Sequence, residues 1–162
     1  TPAECFTALR NGADGLKRVA ECGGLRANYS LRSIEDVLHA PYADSGPCMH
    51  EALFGDKDFG GGLSTLDLAK GLIDEGFHPM TMYFPLVVHG AMLIEPTETE
   101  SKLELDRFCD ALSAVAKRAA AGDESLKAAP VLAPIKRLDE TQAARKPVLK
   151  WMPPSVDAIA AE

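Results

Sequence analysis

The side chains that could do chemistry lie in the middle of this sequence. The candidates are Cys48, His50, His78, His89 and the glutamates of segment 95–100. Cys48 and His50 are two residues apart, so on a strand they would share a face. A nucleophile and its base also need hydrogen-bond reach and a third, orienting group, which this spacing does not supply. We therefore favour structural roles for this cysteine and this histidine.

The sequence predicts neither a metal site nor a phosphate-binding loop. The sequence contains no HExxH and no CxxC pattern, so we expect no metal site. Gly60–Gly62 precede a predicted helix that opens at Ser64, and amides at a helix start attract anions. Because the lysine and the serine or threonine of a P-loop are missing, we expect a flexible loop here.

The segment Glu95–Ser101 is the densest group of polar side chains. It reads EPTETES and should lie where a buried strand ends and a helix begins. Thr97 and Glu100 have the spacing of a capping box, which predicts the start of that helix. The negative charge of Glu98 would also be favourable there, because the helix dipole attracts acidic side chains to a helix N-terminus. Capping does not account for Glu95, so an additional site-forming role for this block stays open.

The elements that must position these residues follow from hydrophobic periodicity. Apolar steps of three and four residues predict a helix over 9–38, in which Gly23 and Gly24 should allow a bend or the close approach of another backbone. Further helices are predicted from Ser64 to Gly76 and from Thr97 to Gly122. Strands are predicted over 48–54, 79–88 and 91–94. In the second, alternating apolar and polar residues are followed by a continuous apolar run. The third is almost entirely apolar and should be buried on both faces.

This order of elements predicts a small α+β domain with a mainly antiparallel sheet and helices on one face. We place that domain at residues 1–129. Residues 130–162 hold five of the eleven prolines and no long stripe, so an extended tail that lies on another surface is expected.

Composition narrows the class of protein. The chain has 162 residues, is 46% hydrophobic and carries a net charge of −7, which argues against nucleic-acid binding. We expect no membrane contact, because no apolar run approaches the roughly 20 residues of a span. Four cysteines without a CxxC pair suit free thiols in the cytoplasm. Because the start resembles no signal peptide and lacks Met, we expect a piece of something longer, either an enzyme domain or a binding module.

Several blocks of the sequence resemble one enzyme family. They are GFHP at 76–79, Tyr83–Pro85, His89–Gly90 and EPTETESK at 95–102, together with Asn28–Tyr29, Cys48–Glu51, Leu138–Glu140 and 143–149. In this order they resemble the C-terminal region of the glycine cleavage system P-protein, in the form of its subunit 2. The resemblance covers roughly residues 10–151.

The resemblance implies a pyridoxal-phosphate enzyme of fold type I, similar to aspartate aminotransferase. Such an enzyme decarboxylates glycine and passes the aminomethyl group to lipoylated H-protein, with P-protein subunit 1 as its partner in an oligomer. The family's Schiff-base lysine follows a histidine in an upstream large domain, whereas no lysine of this chain follows a histidine. We therefore expect no catalytic lysine here, an absent cofactor-binding domain, and an inactive fragment.

The resemblance implies that a small domain of this kind closes one side of the substrate cleft. Because the cofactor acts as the electron sink, this domain needs only well-placed polar groups. The candidates for that wall are His78, His89, Thr97, Glu98 and Glu100. The alternative interpretation is a non-catalytic regulatory module of ferredoxin-like type that binds an amino acid.

Overall fold

The structure is a computed structural model that describes residues 2–151 and 153. Its helices are α1 (Pro2–Ile34), α2 (Thr65–Asp74), α3 (Lys102–Ala120) and α4 (Glu140–Arg145). Its strands are β1 (Ala52–Phe54), β2 (Thr81–Met82) and β3 (Met92–Ile94). The succession of helix, strand, helix, two strands and helix confirms the predicted α+β class.

The three strands form one antiparallel sheet in the order β1-β3-β2. Ala52 lies opposite Ile94, and Thr81 lies opposite Leu93. All three strands are shorter than predicted. At the predicted start of the first strand, the Asn28 side chain hydrogen-bonds both backbone polar groups of Cys48, so Cys48 pairs with this side chain and not with a neighbouring strand.

The predicted continuation of the second strand over 86–88 is wrong. These residues form a turn, in which the Val88 amide donates to the Pro85 carbonyl, 3.2 Å away. In β3, Met92 and Ile94 are buried on one face, whereas Leu93 on the other face is partly exposed. The predicted burial of this strand on both faces is therefore confirmed for one face only.

The hydrophobic core lies where α1, α2 and α3 meet the sheet. Burying each large apolar side chain contributes about 1.5–3 kcal/mol. The largest fully buried apolar side chains are Phe54, Ile34, Leu38, Leu68, Leu72, Met92, Leu112 and Leu126. Only the C-terminal half of α1 contributes to this core, because the side chains of its N-terminal half are mainly exposed.

Two glycine predictions for α1 had different outcomes. The helix departs from helical geometry at Gly12, with φ 64°, and not at the predicted Gly23–Gly24 pair. The predicted close approach is confirmed at Gly24, where a Cβ would lie 2.9 Å from the Met49 carbonyl oxygen. Gly24 therefore lets the chain before β1 pack directly on the helix.

The capping box predicted at Thr97 and Glu100 is wrong. Helix α3 begins after Ser101, whose hydroxyl accepts a hydrogen bond from the Glu104 amide at 3.1 Å. Thr97 lies one turn earlier, and its carbonyl accepts a hydrogen bond from Arg26. Serine is as good a cap as threonine, so the sequence pattern allowed both starting points.

Glycines also fix the chain at the ends of α2 and α3. Gly76 follows α2 with φ 86° and Gly122 follows α3 with φ 71°, as expected of terminating glycines. Gly60 donates its amide to the Ala119 carbonyl at 2.9 Å, and a Cβ there would lie 2.9 Å from the Ala120 carbonyl oxygen. The glycine-rich segment is therefore packed on the end of α3.

The chain after residue 129 begins by lying on the domain. The amides of Val131 and Leu132 donate to the Asp74 carboxylate, each at 2.7 Å. Arg137 donates to the Asp67 carboxylate and to the carbonyl of Leu126, at 2.8 and 2.9 Å. The helix α4 follows, and it contains no buried residue.

Candidate functional site

A cavity of about 660 Å³ lies between the sheet and the start of α3. Apolar side chains form much of its lining, and Phe77 and Phe108 meet there edge to face with ring centroids 5.6 Å apart. We call it the acidic cavity, because Glu95, Glu100 and Glu104 also line it. Two predicted site residues, His78 and Glu100, belong to this lining.

Antiparallel pairing explains why distant segments meet at the acidic cavity. Strand β2 begins where β3 ends, because Thr81 is paired with Leu93. Segment 76–80, which leads into β2, therefore lies beside segment 95–100, which leaves β3. The positive φ of Gly76 turns the chain from α2 towards this end of the sheet.

The charge of the acidic cavity limits what it can bind. Its described lining contains three glutamates and no lysine or arginine. Glu104 is paired with Arg107, with 3.2 Å between Oε1 and Nη1. An apolar surface with acidic groups favours cationic or neutral groups over a phosphate, which needs positive charge or free amides.

His89 lies at the opposite end of β3 from the acidic cavity. Its Nδ1 is 2.8 Å from Oδ1 of Asp56, whose side chain is 7% exposed while that of His89 is 96% exposed. An ionised carboxylate can only accept, so Nδ1 carries the hydrogen and Nε2 faces outward. A buried carboxylate that fixes an exposed imidazole is an arrangement that orients histidine for hydrogen bonding.

Gly90 makes this pair possible. Its φ is +58°, and a Cβ would lie 1.9 Å from Cγ of Asp56. The Gly90 carbonyl also accepts a hydrogen bond from the buried hydroxyl of Thr65, at 2.6 Å. Any side chain here would displace the Asp56 carboxylate, which explains the His89–Gly90 pair in the sequence.

Thr97 and Glu98 lie on the exposed segment between β3 and α3. The Thr97 hydroxyl is 2.9 Å from that of Thr99. The structure thus places His78 and Glu100 at the acidic cavity, His89 at the far end of β3, and Thr97 and Glu98 on a surface segment. It does not bring the five predicted wall residues together within this chain.

Sequence reasoning missed a polar cluster between α1 and α3. Lys102 donates to Asp106 at 2.7 Å and to the Tyr29 hydroxyl at 3.1 Å, and that hydroxyl donates to Asp106. Hydrogen bonds from Lys102 and Tyr29 lower the pKa of Asp106. The bond to Asp106, followed by that to Tyr29, raises the pKa of Lys102. The i,i+4 spacing of Lys102 and Asp106 was the one available signal.

Asn28, which neighbours Tyr29, joins α1 to the segment before β1. Its side-chain amide donates to the Cys48 carbonyl at 2.7 Å, and its oxygen accepts from the Cys48 amide at 2.9 Å. Burial raises the pKa of the Cys48 thiol. A raised pKa disfavours the reactive thiolate, so Cys48 lacks the activation of a catalytic cysteine.

The part of the chain that the structure describes contains neither a cluster of metal ligands nor a membrane-spanning helix. No group of three or more histidine, cysteine, aspartate or glutamate side chains is placed to hold a metal ion there. No helix among residues 2–151 has the length and apolar character to cross a membrane.

Comparison with known proteins defines the class to which this fold and these motifs belong. Residues 19–132 match the sequence model of a family described as "Glycine dehydrogenase, C-terminal domain". The chain belongs to this family.

Three similar proteins share the name "Probable glycine dehydrogenase (decarboxylating) subunit 2". That from Caulobacter vibrioides is 64% identical over 95% of this chain. Those from Oceanobacillus iheyensis and Shouchella clausii are 48% and 49% identical over 91% and 90% of it. The chain spans only 30% of the length of each of these relatives.

Proposed function

We propose that this chain forms the C-terminal domain of subunit 2 of a glycine dehydrogenase (decarboxylating). The observation that carries the proposal is the 64% identity to a relative of that name over almost the whole chain. The complete enzyme would decarboxylate glycine and transfer the aminomethyl group to lipoylated H-protein. Subunit 1 would be its partner in a cytoplasmic oligomer.

The residues described here do not fit pyridoxal phosphate as a self-contained site. The acidic cavity carries three glutamates, and its described lining offers no lysine or arginine for a phosphate. Lys102 is bound to Asp106 and Tyr29, on a side of α3 that faces α1. We therefore propose that the cofactor is held by a fold-type-I large domain outside this chain, and we assign no step on the cofactor to these residues.

The N-terminal half of α1 supports a place within a larger molecule. Leu9 and Leu16, which belong to the predicted apolar stripe, are exposed, and so is Phe6, three residues before Leu9. An amphipathic helix normally buries such a stripe. In the proposed arrangement, residues 1–129 form the small domain and residues 130–162 form the tail. The N-terminal half of α1 lies along the rest of the enzyme.

The regulatory alternative is not favoured. A ferredoxin-like module needs the order β-α-β-β-α-β, and the described residues form three strands, with no strand after α3. Membership in the glycine dehydrogenase family supports the enzyme domain instead.

Within this domain we propose that the acidic cavity contributes to the wall of the substrate cleft, with His78 and Glu100 as contributing residues. We expect Glu100→Gln in full-length subunit 2 to lower glycine turnover about tenfold, or 1.4 kcal/mol of barrier. The melting temperature should stay nearly unchanged. CO₂ release would be measured with subunit 1 and lipoylated H-protein present.

Glu98→Gln is the matched control, because Glu98 lies on the same exposed segment as Glu100 but does not line the acidic cavity. Equal turnover of the two variants would contradict the assignment of the acidic cavity to the cleft. A wild-type preparation that releases no CO₂ from glycine would contradict the proposed function itself.

A further inference from the structure

The loop that joins β2 to β3 exposes an unusual number of apolar side chains. We call residues 83–89 the 83–89 loop. Tyr83, Phe84, Leu86 and Val87 are all exposed, with Leu86 88% exposed. Runs of exposed apolar residues are unfavourable in water and mark contact surfaces when they persist.

Hydrogen bonds hold the 83–89 loop in one conformation. At its start, the Tyr83 amide donates to the Ala91 carbonyl at 2.7 Å, and the Tyr83 hydroxyl accepts from the Leu66 amide at 3.3 Å. At its end, His89 is bound to the buried Asp56 carboxylate. The apolar side chains are therefore presented on a fixed backbone.

Tyr83 also stores backbone strain. Its φ is 60°, in the left-handed region, where a bulky aromatic residue is an outlier. Strained residues persist where the surrounding structure holds them, and they cluster at functional surfaces. A surface loop with no contact to make would gain nothing from such a conformation.

We propose that the 83–89 loop packs against an apolar surface on the part of the subunit 2 polypeptide that lies outside this chain. The inference rests on the proposed function. The chain covers 30% of the relatives, so most of the polypeptide is available to supply that surface. Covalent linkage gives it a high effective concentration, which a second copy or subunit 1 lacks.

The proposed contact would also involve His89. Its imidazole lies at the end of the 83–89 loop and presents Nε2 outward. Packing of the loop would bring this oriented imidazole to the boundary between the two parts of the enzyme. Asp56 would then act as a positioning residue for His89.

The test is thiol labelling of full-length subunit 2 that carries Leu86→Cys, read by peptide mass spectrometry so that the native cysteines are scored separately. Leu103→Cys is the control. Leu103 is 61% exposed, and it lies on α3, which follows the opposite end of β3.

Labelling at position 86 should be at least about tenfold slower than at position 103, at every protein concentration and without subunit 1. Val87→Cys provides a second reading if Leu86→Cys fails to fold.

Equal labelling at positions 86 and 103 would overturn the proposal. Protection that needs high concentration would assign the loop to a second copy, and protection that needs subunit 1 would assign it to that subunit; both overturn it too. Labelling does not require turnover, so wild-type CO₂ release separates a failed docking surface from a failed function.

Discussion

At the scale of single residues, the block Glu95–Lys102 combines several separate roles. Glu95 and Glu100 line the acidic cavity, Ser101 caps α3, and Lys102 joins α3 to α1. The sequence indicated that this block was important. The sequence did not show which residue has which role, because Thr97 and Ser101 are both suitable caps. The structure settles the cap, since α3 begins after Ser101 and the Ser101 hydroxyl accepts from the Glu104 amide.

The corrected cap gives a residue-scale prediction. Ser101→Ala should lower the free energy of unfolding by about 1 kcal/mol, because the Glu104 amide loses its acceptor. Thr97→Ala should have a much smaller effect, because its hydroxyl pairs only with Thr99 on the surface segment. Urea unfolding of both variants measures the difference. A larger loss for Thr97→Ala would restore the capping box predicted from the sequence.

At the scale of elements, the helices were easier to predict than the strands. The stripes of α1 and α3 extend over many turns, so their existence was clear even where their ends were not. The strands are two or three residues long, and their limits depend on contacts from distant elements, such as Asn28 with Cys48. Asp56 with His89 and Asp67 with Arg137 are likewise remote pairs that no local spacing reveals.

The contact of Arg137 with the domain leads to an element-scale prediction. Arg137→Gln should lower the free energy of unfolding by about 1–3 kcal/mol at pH 7, because a partly buried charged hydrogen bond to Asp67 is lost. Arg145→Gln, on the exposed helix α4, is the matched control. Denaturant unfolding of the two variants measures the difference.

The effect of Arg137→Gln should depend on pH. Burial raises the pKa of Asp67, but hydrogen bonds from Ser64 and Arg137 outweigh it and leave that pKa below its ordinary value. The carboxylate's stabilising contribution is therefore present above the unfolded pKa of about 3.9 and is lost as pH falls through the folded value. The penalty should shrink in acid. A penalty that is equal at pH 7 and pH 3 would show that Arg137 acts through its carbonyl contacts alone.

At the scale of the whole molecule, the fold explains why the sequence shows no complete catalytic motif. The five predicted wall residues lie in three places, and the acidic cavity does not suit a phosphate. Family motifs predicted the class of protein, but many of their residues serve to join elements of this domain, as Asn28, Tyr29 and Lys102 do. In the proposed arrangement another part of the polypeptide completes the site, and the residues it would supply are absent from this sequence.

We propose that this chain is a folded domain that takes part in glycine turnover only together with the rest of the enzyme. The most direct test mixes the 162-residue chain with pyridoxal phosphate and glycine, with circular dichroism as the control for folding. We expect no stable Schiff-base absorbance and no CO₂ release from this chain, and we expect CO₂ release from full-length subunit 2 with subunit 1 and lipoylated H-protein. Stoichiometric cofactor binding at one lysine of the isolated chain, with turnover of glycine, would contradict the account.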